Sequence, residues 1–525
     1  MSLLSTVCPL SILKIFQNFS IFPMSLPFLY RSRCLLMAGV VFGSEACARV
    51  SVPSIFSDHM VIQAGMDAPV WGKADPNEGI TVTLGTQTKT TKADALGQWK
   101  VKFEKLIPGS VGSLTIKGNT TLVIEDVAVG EVWLCAGQSN MKMTISQIKA
   151  AEEIAPLSDP SGLTRMCWGG SRWGVIKGEN LGNAAATAYL FGRELRRTLD
   201  MPVGLIVAAG NGSMIEAWTD LELQRSQKEL QPMVENWLAK QAEYNLEAEK
   251  VILEKKLGEH RMAVDLAKSQ GKPIPRPPLL TVPPNKTNGF PGYLFNMQIN
   301  PVIPFAIRGA IWYQGESNTA TQSSGRLYER QLKLLISDWR SRWGQGDFPF
   351  VWVQLPNFEG TKSKLGLAWP EVRESMLNCL SLPHTGMAVT IDIGEAHNLH
   401  PINKQEVARR LSILALAKAY KKDIPCSGPL LDGHEIKDGQ VICKFKFTEG
   451  GLKTRDGGEL KGFMLAGNNH QWVKASAKIA GNHVVVSSHE ITEPVAVRYA
   501  WADNPECNLV NGASLPASPF RTDQW

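Results

Sequence analysis

The chain is short of charge, short of closely spaced cysteines, and lacks any apolar run long enough to cross a bilayer. Only 20% of its 525 residues are charged, and the net charge is +6. That charge is spread over many segments, and a basic cluster interleaved with stacking aromatics is absent, so nucleic acid is not expected as a partner. Nine cysteines fall at positions 8, 34, 47, 135, 167, 379, 426, 443 and 507, a spacing that fits neither a zinc ribbon nor a disulfide scaffold. Buried free thiols are their expected state, and a bond from Cys426 to Cys443 or Cys507 is the alternative that an export compartment permits. His397 and His400 have no third and fourth ligand beside them in the pattern, so neither a metal nor another cofactor is expected. Gly210-x-Gly212 follows an apolar run, but Ile215 stands where a dinucleotide-binding turn has its next glycine, and no phosphate-binding lysine follows.

Near the N-terminus, Arg31 and Arg33 precede the apolar stretch 34–43, and Ala46-Cys47-Ala48 has the small-x-small form of a signal-peptidase site. A stretch of about ten residues is too short to span a bilayer, and Pro9, Pro23 and Pro27 break the apolar runs before it. Residues 1–48 are therefore expected to be a signal peptide, with Met24 as an alternative start. The protein is expected to be secreted or periplasmic, with no stable membrane span. A lipid anchor on Cys47 is disfavoured, because Ser44-Glu45-Ala46-Cys47 makes a poor lipobox.

What is present is a repeated strand-then-turn pattern. The apolar run 132–135 leads into Gly137-Gln138-Ser139-Asn140-Met141, and 203–209 leads into Gly210-Asn211-Gly212-Ser213. The run 306–313 leads into Gln314-Gly315-Glu316-Ser317-Asn318, 348–355 into Asn357, and 387–393 into a loop ending His400-Pro401. Helical spacing fills the gaps over 185–199, 328–343, 369–380 and 404–420, the last with Val407, Leu411 and Leu414 on one face. Strand alternating with helix means a parallel sheet, and right-handed crossovers bring the strand C-termini to one edge. Ser139, Gly212, Gln314, Glu316 and His400 are therefore expected to converge. A serine there is a candidate nucleophile and His400 its base. The amides of Ser139 and Gly212 and the Gln314 side chain are candidate oxyanion donors.

On either side the period changes to that of half-buried strands. Ile80, Val82 and Leu84, then Trp99, Val101 and Phe103, alternate with polar residues, as do Val441, Cys443 and Phe445 near the other end. The expected architecture is α/β: a flavodoxin-like parallel sheet with helices on both faces, flanked by N-terminal and C-terminal β-sandwich domains. The boundaries read as 49–125, 126–425 and 426–525, with a Lys/Glu-rich helical insertion near 221–294 that forms a hairpin rimming the site. Such a chain could also be a non-catalytic carbohydrate-binding protein on a hydrolase scaffold, but the intact Ser139, His400, Gln314 and Glu316 set favours an enzyme.

The run from Asp126 to Met141 resembles the nucleophile block of the sialate O-acetylesterase family, a branch of the SGNH (GDSL-type) hydrolases. Further blocks match in order: Pro202–Ile206 with Ile215–Trp218, Trp312–Asn318, Val353–Phe358, and Asp392–Gly394 with His400–Lys404. Pro53–Gln63 and Pro519–Trp525 resemble the family's ends. The resemblance implies a serine esterase acting on an acetylated carbohydrate, either a sialate or a plant polysaccharide such as xylan. It implies Ser139 as nucleophile, His400 as base, and Gly212 and Gln314 as oxyanion donors. His397 stands where many relatives have the third catalytic carboxylate, so Glu316 is the expected partner of His400, with Asp392 and Glu395 as competitors. Asn211 stands where a glycine is common. Trp218, Trp312, Tyr313, Asn318, Asn357, Trp369 and Arg373 are expected to line the sugar site, and Arg373 to meet a sialate carboxylate.

Overall fold

The computed structural model describes residues 49–149, 151–359 and 368–525. The expected signal peptide, with Met24, Cys8, Cys34 and Cys47, lies outside these residues. Among the described residues, no helix is long and apolar enough to cross a membrane, and all six cysteines are free thiols.

The centre of the molecule is a sheet whose strands run, from edge to edge, Thr385–Ala388, Phe350–Val353, Gly309–Tyr313, Thr121–Gly137, Val203–Ala209, Thr164–Trp168 and Trp173–Val175. All neighbours are parallel except the last pair. All seven residues of Val203–Ala209 are buried, as a strand covered on both faces requires. Alternation then sends successive side chains to opposite layers. Ala310 and Trp312 join a core with Trp339 and Leu335 of helix Gln322–Trp343, while Ile311 and Tyr313 join Leu411 and Leu414 of helix Lys404–Tyr420. Helix Ala186–Leu199 packs beside Lys404–Tyr420, and Trp369–Asn378 beside Gln322–Trp343.

The first core strand, Thr121–Gly137, has later strands on both sides of it, so chain order reverses there. Such a switch point opens a crevice at the strand's C-terminal end, and Ser139 stands there. The strand Thr164–Trp168 was not foreseen. Buried Arg165 interrupts its apolar run and is held by Asp126 Oδ1 at 2.9 Å.

Strand Thr121–Gly137 is 17 residues long. Its first part pairs antiparallel with Gly109–Lys117, its middle parallel with Val61–Gln63, and its last part with the central sheet. The boundary read at 125/126 therefore falls inside one continuous strand. A second antiparallel pair, Ala68–Lys73 with Gln98–Phe103, completes the N-terminal β region.

At the other end, two four-stranded antiparallel sheets pack face to face, with Phe445, Phe463 and Phe520 between them. Gln354 donates to Ser518 Oγ at 2.9 Å, and Arg521 pairs with Glu374 at 2.8 Å, which clasps this region to the core. The insertion contains helices Gln231–Glu243 and Leu246–Ser269. None of their residues lines the cavity that holds Ser139, so the expected rim is not formed by this hairpin. Its base touches the site's edge, where Asn288 donates to the carbonyl of Asn211 at 2.8 Å.

Candidate active site

Ser139 opens a four-residue helix directly after the central strand. Gly137, at φ +145°, makes the turn, and a Cβ there would lie 2.1 Å from the carbonyl oxygen of Tyr313. The neighbouring strand thus dictates glycine at this position. His400 reaches Ser139 from the loop after the edge strand, with Nε2 2.8 Å from Ser139 Oγ. Asn398 Oδ1 accepts the His400 backbone N–H at 3.0 Å, and Glu395 holds the same loop by accepting from Asn398 Nδ2 at 3.0 Å and from the Ile402 amide at 2.8 Å. Burial, reinforced by the charge of Lys404, lowers the His400 pKa below its ordinary 6.5, so the imidazole is neutral at neutrality and able to accept a proton.

The cavity above this pair has a volume of about 730 Å³, within the size range of small-molecule sites. Gln138, Lys142, Met143, Thr144, Gln147, Asn211, Gly212, Ser317 and Leu399 are among its walls. Gly212, at φ +60°, brings a backbone amide to the same cavity. The Ser139 amide, at the first position of its helix, has no acceptor within that helix. Both residues are in the wall of the cavity.

Gln314 is not. Its Nε2 donates to the Ser213 carbonyl and to Asn318 Oδ1, each at 2.9 Å, and its Oε1 accepts from Tyr328 at 2.9 Å. Both amide protons are spent inside the protein, which corrects its assignment as an oxyanion donor. Asn318 is likewise internal, accepting from the Ile215 amide at 3.0 Å and donating to Glu216 at 3.0 Å. The two amides brace the turn after Val203–Ala209 against the loop after Gly309–Tyr313. Gln314→Ala is therefore expected to cost about 1–3 kcal/mol of stability by stranding buried partners. Its kcat is expected to fall less than the roughly 10²-fold that loss of an oxyanion donor brings. Denaturant titration beside steady-state kinetics checks both.

Glu316 does not touch His400. The carboxylate is buried, and Oε1 accepts a short hydrogen bond from Asn140 Nδ2 while Oε2 has no partner. Asn140 bridges instead, its Nδ2 donating both to Glu316 and to the carbonyl of Leu399, the residue before His400. Asp392 is engaged elsewhere, by Arg410 at 2.6 and 2.9 Å and by Arg455 at 3.3 Å. His397 pairs with Glu359 at 3.1 Å. Among the described residues, no carboxylate hydrogen-bonds the His400 ring, which leaves a Ser139–His400 dyad.

The expected sugar-lining residues are also displaced. Trp312 is wholly buried, edge-on to Trp218 and Trp339, with its N–H donated to Tyr328. Arg373 is wholly buried and spends its guanidinium on the carbonyls of Leu355, Pro356, Ala502 and Asp503. Burial lowers its pKa to about 9, and four of its five N–H groups are committed to backbone carbonyls away from the Ser139 cavity. Asn357 accepts from the Gly394 amide and donates to Asn504. Trp218, Tyr313 and Trp369 are core.

Two site features escaped the sequence reading. Lys404 is wholly buried beneath the dyad, with Nζ donating to Asn140 Oδ1 at 2.6 Å and lying 5.1 Å from the Tyr313 ring centroid. A lysine in the first turn of a helix opposes the helix dipole, and that mismatch was the available signal. The other is the segment just after Ser139, whose side chains form much of the cavity wall.

The family model described as carbohydrate esterase, sialic acid-specific acetylesterase matches residues 295–420. The sialate O-acetylesterase of Homo sapiens is 28% identical over 529 residues, covering 89% of this chain and 91% of that protein. That of Mus musculus is 27% identical over 539 residues, covering 89% and 93%. A crystal structure of a carbohydrate acetylesterase from Xanthomonas citri matches with a TM-score of 0.76 and 32% identity, covering 91% of this chain and all of that one.

Proposed function

The chain belongs to the sialate O-acetylesterase family of carbohydrate esterases, and from that premise we propose that it removes O-acetyl groups from sialic acids through an acetyl-enzyme on Ser139. The observation that carries the reading is the 2.8 Å contact between Ser139 Oγ and His400 Nε2 in the wall of an open cavity. Ser139 attacks the acetyl carbonyl as its proton passes to the neutral imidazole. The amides of Ser139 and Gly212 receive the oxyanion. The imidazolium then protonates the departing sugar oxygen, and a water activated by the same His400 releases acetate. Export, read from Arg31, Arg33 and Ala46-Cys47-Ala48, is part of the same proposal.

Acetate release measured across acetylated sialosides, acetylated xylan, acetylated pectin and 4-nitrophenyl acetate tests the substrate. The sialosides are expected to give the highest kcat/KM among the glycans. A higher value on xylan would transfer the assignment to neutral polysaccharides.

A further inference from the structure

We propose that Lys142 is the contact for the carboxylate of the acidic sugar, an inference that rests on the sialate reading and names the group that enforces it. A glycan-binding cavity needs a cation only if its ligand carries a negative charge. Among the described residues, Lys142 is the one lysine or arginine that lines this cavity, and no Asp or Glu lines it. The other two cations considered for the site are unavailable: Arg373 is locked on backbone carbonyls, and Lys404 lies under the floor on Asn140. Lys142 is exposed and has no ion-pair partner among the described residues.

Position supports the same role. Lys142 follows Ser139 by three residues on one helical turn, a spacing that puts both side chains on one side with Cβ atoms about 5–6 Å apart. The nucleophile therefore fixes the acetyl carbon, and the ammonium sweeps the space beside it. A flexible stem ending in a compact charge with three donors suits a carboxylate whose position varies from ligand to ligand. The neighbouring walls, Thr144, Ser146 and Gln147, offer uncharged partners for hydroxyls, so the carboxylate has one cation to choose.

The test is the ratio of kcat/KM on an acetylated sialoside to that on 4-nitrophenyl acetate. Lys142→Met is expected to lower this ratio on the order of 5-fold, chiefly through KM, the upper end for a solvated ion pair. Lys142→Glu is expected to lower it further, and Lys142→Arg to restore it. Raising ionic strength is expected to lower the wild-type ratio and leave that of Lys142→Met flat. An unchanged ratio in Lys142→Met, including one produced by equal losses on both substrates, overturns the proposal. Should the wild type act poorly on sialosides but well on acetylated polygalacturonate, with the same dependence on Lys142, the sialate assignment fails and the carboxylate contact stands. A wild-type preference for acetylated xylan over both acidic glycans removes the two together.

Discussion

Ser139→Ala is expected to abolish acetate release, lowering kcat by a factor on the order of 10⁴–10⁶, while the melting transition stays within a few degrees of wild type. Loss of the hydroxyl removes the nucleophile from a turn whose shape is set by Gly137 and the Tyr313 carbonyl, so the backbone has no reason to move. The Ser139 amide remains for the oxyanion, but nothing remains to be acylated. Acetate release on the best substrate, read with far-UV circular dichroism, checks both halves. Turnover near wild type would remove the serine mechanism. Activity should also fall on the acid side only below pH 6.5, because the His400 pKa is lowered from that value and its base form persists to lower pH.

The second large effect is expected at Lys404. Burial drives its pKa down to about 7 from 10.5 and drives that of Glu316 up from 4.5, so each resists the charge it carries and each leans on the other through Asn140. Above neutrality, where the Lys404 amine is uncharged and acts as the donor to Asn140 Oδ1, Lys404→Met is expected to cost about 1–3 kcal/mol by leaving buried acceptors unpaired. The sign with pH follows from linkage. Glu316 in the variant has a folded pKa above its unfolded value, so the deficit shrinks as pH falls and the carboxylate takes its proton. In the wild type, the unfolded chain binds more protons than the folded one between about pH 7 and 10.5, and stability gained from Lys404 across that window is lost in the variant. Pairing the change with Glu316→Gln is expected to recover most of the stability. A kcat deficit of about 10²-fold should accompany the single variant, since Asn140 adjoins Ser139 and small misplacements are costly. Denaturant midpoints across pH for both single variants and the double variant check the cycle, and additive losses would dissolve the Glu316–Asn140–Lys404 unit.

Ser139 and His400 were legible because their signals are local: an apolar run, a turn, and a residue able to donate or accept a proton at its end. The parallel order of the sheet was legible for the same reason, since alternation of strand and helix leaves few topologies. Gln314 was read as an oxyanion donor, Glu316 as the partner of His400 and Asn318 as a sugar contact, because a sequence does not say which polar groups are spent on internal bonds. Their partners Ser213, Asn140 and Glu216 lie between 101 and 176 residues away, and contacts of that range depend on the folded topology. Arg373 misled by its charge. A guanidinium has five donors, and here four carbonyl oxygens from two loops were enough to take it out of reach of any ligand. Lys142 was overlooked because exposed lysines are common and only the shape of the cavity distinguishes this one.

The 17-residue strand from Thr121 to Gly137 passes through a left-handed residue at Asp126, φ +51°, and ends two residues before Ser139. It acts as a beam anchored in two sheets. The same continuity distinguishes the N-terminal region from a module tethered by a linker, since its last strand is also a strand of the central sheet. A different partner for the first half of the strand must be compatible with the alignment of the second, so this region and the turn that carries Ser139 form one covalently continuous unit.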